Sequence, residues 1–243
     1  MEFETQFTHE FVKRSLSERT KRILEVGCGS GALALALSKD GFIVVALDAD
    51  AGSVTAAQKL GVDARVAAWP DFDQEPFDAV VFSRSLHHIH PLRKALNRAA
   101  DCLPPGGRMI VEDFAHEAID KKTLCWFAQR VDALKAAGLI ERDSEHFNAI
   151  RAAAESVTAW RKNHPSDLHT SVNIYKQIEC VFTAVNHEQV PYFFRYIGSA
   201  VSTDVDRHNI LKEFAEEEGS LISEGAIIPL GRRFVAERAA GRK

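Results

Sequence analysis

Glu25-Val-Gly-Cys-Gly-Ser-Gly31 is the segment of this 243-residue chain best equipped for chemistry. Gly27, Gly29 and Gly31 let the backbone turn sharply and let a ligand touch bare main chain. A helix starting just after them would aim unpaired N–H groups and the positive end of its dipole at that ligand. Asp48 follows Gly27 by 21 residues, and a carboxylate there could accept hydrogen bonds from both hydroxyls of a ribose. Gly27, Gly29 and Ala32 also satisfy the dinucleotide fingerprint G-x-G-x-x-G/A, so the loop indicates an adenosine-type ligand without choosing one. Glu25 narrows the choice. Two residues ahead of Gly27, it would repel a pyrophosphate, and it suits an ammonium group held directly or through water.

Histidines supply the second set. His87, His88 and His90 follow the apolar run Phe77–Phe82, and His116 follows Arg108–Val111. If those runs are parallel strands, the imidazoles lie at the ligand-facing end of a sheet, where one could take a proton. His87 and His116 are the candidate bases. His87, His88 and His90 share one short loop and can hardly converge tetrahedrally, so no metal is expected. Glu112 reads equally as an acceptor-orienting carboxylate or as structure, and Asp113 as a solvated loop end or helix cap. In Pro191-Tyr-Phe-Phe-Arg-Tyr196, Tyr192, Arg195 and Tyr196 are candidate walls of a substrate pocket, Arg195 either pairing an anion or forming a structural ion pair. Glu216, Glu217 and Glu218 read as a solvated helix face.

The elements that would position these groups alternate. Strands are expected at 22–26, 42–47, 64–67, 77–82 and 108–111, with helices at 32–37, 51–60 and 91–103 between them. Such alternation implies βαβ crossovers and a parallel sheet. The 42–47 run is continuously apolar, as in a strand buried on both faces. Beyond residue 116 the pattern turns helical. Leu124, Phe127, Val131 and Leu134 recur at helical spacing and Gly138 ends the run. Phe147, Ile150, Val157 and Trp160 suggest one further helix, 171–179 another, and Ile210 to Ile222 a last one. Strands are expected at 180–185 and 227–236, the latter antiparallel and near the sheet edge, because it holds Pro229 and Gly231.

Composition sets outer limits. The 30 Lys plus Arg against 34 Asp plus Glu give a net charge of −4, which argues against a strongly basic nucleic-acid footprint. The longest uncharged stretch, Val26 to Ser38, is far short of the roughly 20 apolar residues of a membrane span. The N-terminal MEFETQFTHE lacks the basic and apolar runs of a secretion signal, so a cytoplasmic location is expected. Cys28, Cys102, Cys125 and Cys180 form no CxxC pair; Cys28 belongs to the glycine loop, and the other three are expected to be buried free thiols.

Four motifs occur in order between residues 22 and 112: ILEVGCGSGALALAL, VVALDAD, FDAVVFSRSLHHI and LPPGGRMIVED. In that order and spacing they resemble the class I S-adenosylmethionine-dependent methyltransferases of the type 11 group. The resemblance implies a Rossmann-like, doubly wound, seven-stranded α/β sheet, mostly parallel with its last strand antiparallel. It implies one domain over 1–243, with a cofactor-binding half at 20–115. Helical cover additions would lie at 116–177 and 190–224, and closing strands at 178–188 and 226–238. Gly27, Gly29 and Gly31 would line the methionine end of S-adenosylmethionine near Glu25, with Cys28 giving its backbone. Asp48 would hold the ribose, with Ala49 beside the adenine. Ser83 and Arg84 would stand where cofactor meets substrate. Many relatives carry an acid after the third strand to hold the adenine amino group. Here Ala68 takes that place, leaving the backbone near Ala68 and Trp69, or Asp71, as substitutes. The expected activity is methyl transfer to a small-molecule acceptor. An RNA or protein methyltransferase, a non-catalytic S-adenosylmethionine binder and an NAD-dependent oxidoreductase are the other readings. Glu25 and LPPGG weigh against the last.

Overall fold

The structure is a computed structural model and describes residues 1–72, 76–140, 145–202 and 205–239. The first half contains α1 (Phe3–Ser15), β1 (Arg22–Val26), α2 (Ala32–Lys39), β2 (Ile43–Asp48), α3 (Ala51–Lys59), β3 (Asp63–Val66), β4 (Ala79–Ser83), α4 (Leu92–Asp101) and β5 (Arg108–Phe114). The second half contains α5 (Lys121–Ala136), α6 (Glu145–Ala153), α7 (Val157–Asn163), α8 (Ser171–Glu179), β6 (Thr183–Val190), α9 (Phe194–Ile197), α10 (Arg207–Ser223) and β7 (Gly231–Glu237).

The seven strands lie in the order β3-β2-β1-β4-β5-β7-β6. The first five are parallel, and β7 runs antiparallel to both β5 and β6. Chain order reverses between β1 and β4, so their carboxyl ends splay apart and leave a crevice. Side-chain alternation assigns the two faces. On one face Ile23, Ala46 and Val81 pack with Leu37 of α2 and Phe11 of α1. On the other, Leu24, Leu47 and Phe82 pack with Leu96 of α4 and Ile178 of α8. A third apolar cluster, centred on Phe127, Trp160, Phe193 and Leu211, joins α5, α7, α9 and α10 into a cover.

Several sequence expectations are corrected. Strand β7 is antiparallel and near the edge, as expected, but the edge strand itself is β6, and the chain pairs only from Gly231 onward, leaving Pro229 outside the ladder. Strand β6 begins at Thr183, three residues later than expected. The helix expected over Phe147 to Trp160 is two, since Ser156 leaves the helix and caps α7 by accepting the Ala159 N–H. Helix α1 went unforeseen, although Phe3, Phe7 and Phe11 mark one helical face. Cys28 and Cys102 are buried, whereas Cys125 and Cys180 are exposed.

Candidate functional site

A cleft of about 840 Å³ opens at the carboxyl ends of β1, β2 and β4. Its floor is the glycine loop. Gly27 and Cys28 both donate their N–H to the Leu47 carbonyl, at 2.8 and 2.9 Å. Gly27 has φ +76°, and a Cβ on it would lie 2.3 Å from that of Ser85. Only glycine fits there, and Ser85 locks the loop from beneath by donating to the Val26 carbonyl at 2.5 Å.

Asp48 stands at the rim. One carboxylate oxygen accepts the Gly29 N–H at 2.8 Å and the other the Asp50 N–H at 3.0 Å. Each oxygen keeps a lone pair, so the group is fixed in orientation yet still able to accept from a diol. Glu25 lies at the other end, on the α2 face of β1. It is fully buried and accepts the Ala34 N–H in the first turn of α2, where Gly31 offers no side-chain cap. Its Oε2 is buried with no hydrogen-bond partner among the described residues. Burial pushes its pKa up to about 8, partly offset by the Ala34 N–H and the Arg84 guanidinium. A buried carboxyl with one idle oxygen asks for a cationic donor.

Of the predicted cofactor residues, Glu25, Gly27, Cys28, Gly29, Asp48, Ala49, Ala68, Trp69 and Ser83 line this cleft, as does Arg84. Gly31 does not. Its φ is +81°, and a Cβ there would lie 2.6 Å from that of Ala57, so it serves the packing of α2 against α3. Burial pushes the Cys28 thiol up to about 12, which leaves it inert. Trp69 packs edge-on against Phe82 and donates its indole N–H to the Ala95 carbonyl, at 3.1 Å. Asp71 is outside the wall and pairs with Lys94 at 2.9 Å. The part of the cleft where an adenine was expected is therefore walled by Ala67, Ala68, Trp69 and Ile89 rather than by an acid. Glu4, Thr5 and Thr8 of α1 also line the cleft, a contribution sequence reasoning missed.

The substrate candidates divide. Tyr192 and Tyr196 line a smaller cavity of about 210 Å³ with His87 and His88. Arg195 does not reach either cavity. It pairs with buried Glu112, which also receives Thr8 at 2.7 Å and Arg233 at 2.7 Å. Burial raises the Glu112 pKa, but the two guanidiniums and Thr8 outweigh it and hold the carboxyl below its ordinary value. Glu112 and Arg195 are thus structural: they tie α1, β5, α9 and β7 together.

Asp113 corrects the expectation of a solvated end. It is fully buried, accepts the His87 backbone N–H at 3.1 Å, and sets Oδ1 2.6 Å from His87 Nδ1. The latter is a close approach rather than an aligned hydrogen bond. His116 lines neither cavity. Its ring stacks on His164 at 5.4 Å, with Nδ1 buried, 3.7 Å from Glu117 Oε2 and without a hydrogen bond among the described residues. Burial lowers its pKa. Glu218, expected on a solvated face, is fully buried and accepts the N–H groups of Tyr192 and Phe193 at 2.8 and 3.0 Å. Among the described residues no group of three or more His, Cys, Asp or Glu side chains is placed to hold a metal ion, and no helix is long and apolar enough to cross a membrane.

Known proteins place this arrangement. The family model described as a methyltransferase domain matches residues 3–164. The chain belongs to that family. Its sheet order, with an antiparallel last strand, is the class I form of the fold, and the family's cofactor is S-adenosylmethionine. The chain is 29% identical over 144 residues to the demethylmenaquinone methyltransferase of Renibacterium salmoninarum, covering 58% of this chain and 60% of that protein. It is 27% identical over 163 residues to the ubiquinone biosynthesis O-methyltransferase of Xylella fastidiosa, covering 63% and 64%. The matches thus span less than two thirds of either relative. Among solved structures, the Haemonchus contortus phosphoethanolamine N-methyltransferase 2 in complex with S-adenosyl-L-methionine superposes with a TM-score of 0.57 at 17% identity, over 97% of this chain and 53% of that one. At that identity the likeness shows the fold.

Proposed function

We propose that this protein is an S-adenosylmethionine-dependent methyltransferase acting on a small-molecule acceptor. The observation that carries the reading is the pairing, within one cleft, of a rim carboxylate with spare lone pairs and a buried carboxyl with an idle oxygen. Asp48 would hold the ribose hydroxyls, the Gly27–Gly29 backbone would carry the amino-acid tail, and Glu25 would take its ammonium. Bound S-adenosylmethionine supplies an activated methyl on a positively charged sulfur, which an aligned nucleophile can displace in line. The protein's part is then to orient the acceptor, exclude water and accept any proton the nucleophile must lose. His87, held by Asp113, is the group we assign to that proton, because His116 lines neither cavity. The small-molecule reading is supported by the small volume of the cover cavity and by relatives named for quinone biosynthesis.

Calorimetry with S-adenosylhomocysteine tests the proposal. One-site binding, absent for NADH and weakened in Asp48→Ala, is expected. Binding of NADH in its place would overturn the reading.

A further inference from the structure

The cofactor cleft does not end at His88. That residue belongs to two walls at once, those of the cleft and of the 210 Å³ cavity beneath the cover. The smaller cavity is made by segments far apart in sequence: His87 after β4, Phe114 at the end of β5, His164 after α7, Leu168 in the following turn, and Tyr192 and Tyr196 around α9.

Three properties of this cavity restrict what it can hold. Its size is that of about one substituted six-membered ring, since an apolar cavity of about 150 Å³ accepts benzene. Its walls are rings: Phe114 stacks on Tyr192 at 5.1 Å with 14° between planes, and His87 meets Phe114 edge-on at 4.9 Å. Offset and edge-on partners of this kind favour a flat aromatic guest. Its charge is nil. None of the lining residues is Asp, Glu, Lys or Arg, and burial moves the pKa values of His88 and His164 downward, toward neutral imidazole. A carboxylate or phosphate would find no cation there and an ammonium no carboxylate, so either would lose its hydration without a partner.

One polar group remains active. Asp113 occupies the Nδ1 side of His87 and holds its backbone N–H, leaving Nε2 as the nitrogen available to a guest. We infer that this cavity is the acceptor subsite and that the acceptor is a neutral, single-ring hydroxyaromatic whose hydroxyl is deprotonated by His87. The inference rests on the methyl-transfer reading and specifies its substrate class. The hydroxyl proton passes to Nε2, and an oxygen lone pair forms the new O–CH3 bond. The S–CH3 bond breaks with its electrons returning to sulfur. Positive charge thereby moves from sulfonium to imidazolium, beside the Asp113 carboxylate.

The test uses the full chain and simple probes. Catechol, benzoate and benzylamine are each titrated against the protein saturated with S-adenosylhomocysteine, and each is incubated with S-adenosylmethionine for product detection by mass spectrometry. Catechol binding and a mono-O-methyl product are expected, with neither for the charged rings. Leu168→Trp, and separately Asn163→Trp, both in the lining, should raise the catechol Kd at least about tenfold by filling the space, with the S-adenosylhomocysteine Kd within about twofold. Methylation of benzylamine or benzoate in preference to catechol would overturn the inference and leave the methyltransferase reading intact. So would catechol affinity unchanged in both Trp variants, or S-adenosylhomocysteine binding without catechol binding. Absence of S-adenosylhomocysteine binding would overturn both.

Discussion

The two cavities that meet at His88 are built on opposite plans. Apart from Glu4, Thr5 and Thr8 of α1, the cofactor cleft is made of strand ends and main chain drawn from one continuous stretch of βαβ units, and the contacts we assign to it are backbone N–H groups and two carboxylates. The cover cavity is made of side chains from the turn after β4, from β5, α6, α7 and α9, and from the turn after α7, brought together only by the tertiary fold. The cleft can therefore accept the same ligand in proteins that share little else. The cover cavity is free to change its guest by changing a few rings.

That division can be broken or sharpened by substitution. The largest effect is expected at His87. His87→Gln should lower kcat by about 10²- to 10⁴-fold, the usual worth of a general base, while the S-adenosylhomocysteine Kd measured by calorimetry stays within about twofold. A kcat loss below about tenfold would remove His87 from the reaction. The converse is expected at Asp48. Asp48→Ala should weaken S-adenosylhomocysteine by about 10- to 100-fold, the range of lost hydrogen bonds to a charged group, with kcat at saturating cofactor little changed.

Next in size is a pair of glycine substitutions within the cleft floor. Gly27→Ala places a Cβ 2.3 Å from that of Ser85 at φ +76° and should destabilise by about 2 kcal/mol or more in urea unfolding. Gly29→Ala, at φ +52° with nothing within 4 Å of the new Cβ, should cost about 1 kcal/mol. Equal costs would mean that the close approach to Ser85 is not what fixes the loop.

The gentlest contrast is in pH dependence. Burial pushes the carboxyl pKa of Glu25 in the cleft and Glu218 in the cover up to about 8, from an ordinary 4.5. A carboxyl raised in the folded state stabilises it fully below the unfolded pKa, and that contribution is lost as pH rises through the folded value. Stability of the ligand-free protein should therefore decline between about pH 4.5 and 8, by at most about 1.4 kcal/mol per pH unit for each group. Glu25→Gln and Glu218→Gln should each flatten the decline in thermal melts at several pH values. Only Glu25→Gln should also weaken S-adenosylhomocysteine, because only Glu25 faces the cleft.

The same division explains what the sequence disclosed. The glycine loop, Asp48 and the five parallel strands were legible because each is a local pattern with a local cause: a turn that needs glycine, a strand that ends on an acid, an apolar run of strand length. Gly31 shows the limit even there, since spacing cannot tell a ligand-facing glycine from one that admits a neighbouring helix. Asp113 and Glu218 were misplaced, and Arg195 was left between two readings, for a different reason. Whether a charged side chain faces solvent, a ligand or a buried partner depends on which distant segment folds against it. Glu112 capturing Arg195 across 83 residues and Glu218 reaching back to the Tyr192 N–H leave no periodicity to read. The contribution of α1 to the cleft was hidden likewise, although its Phe3-Phe7-Phe11 stripe marked the helix.

The most direct test of the account is the crystal structure of the protein bound to S-adenosylhomocysteine. The ribose hydroxyls should lie against both Asp48 oxygens and the ammonium should face Oε2 of Glu25, with the sulfur directed toward the cover cavity past His88. An empty cleft at saturating ligand, or the nucleoside bound with its amino-acid tail away from Gly27 to Gly29, would contradict it.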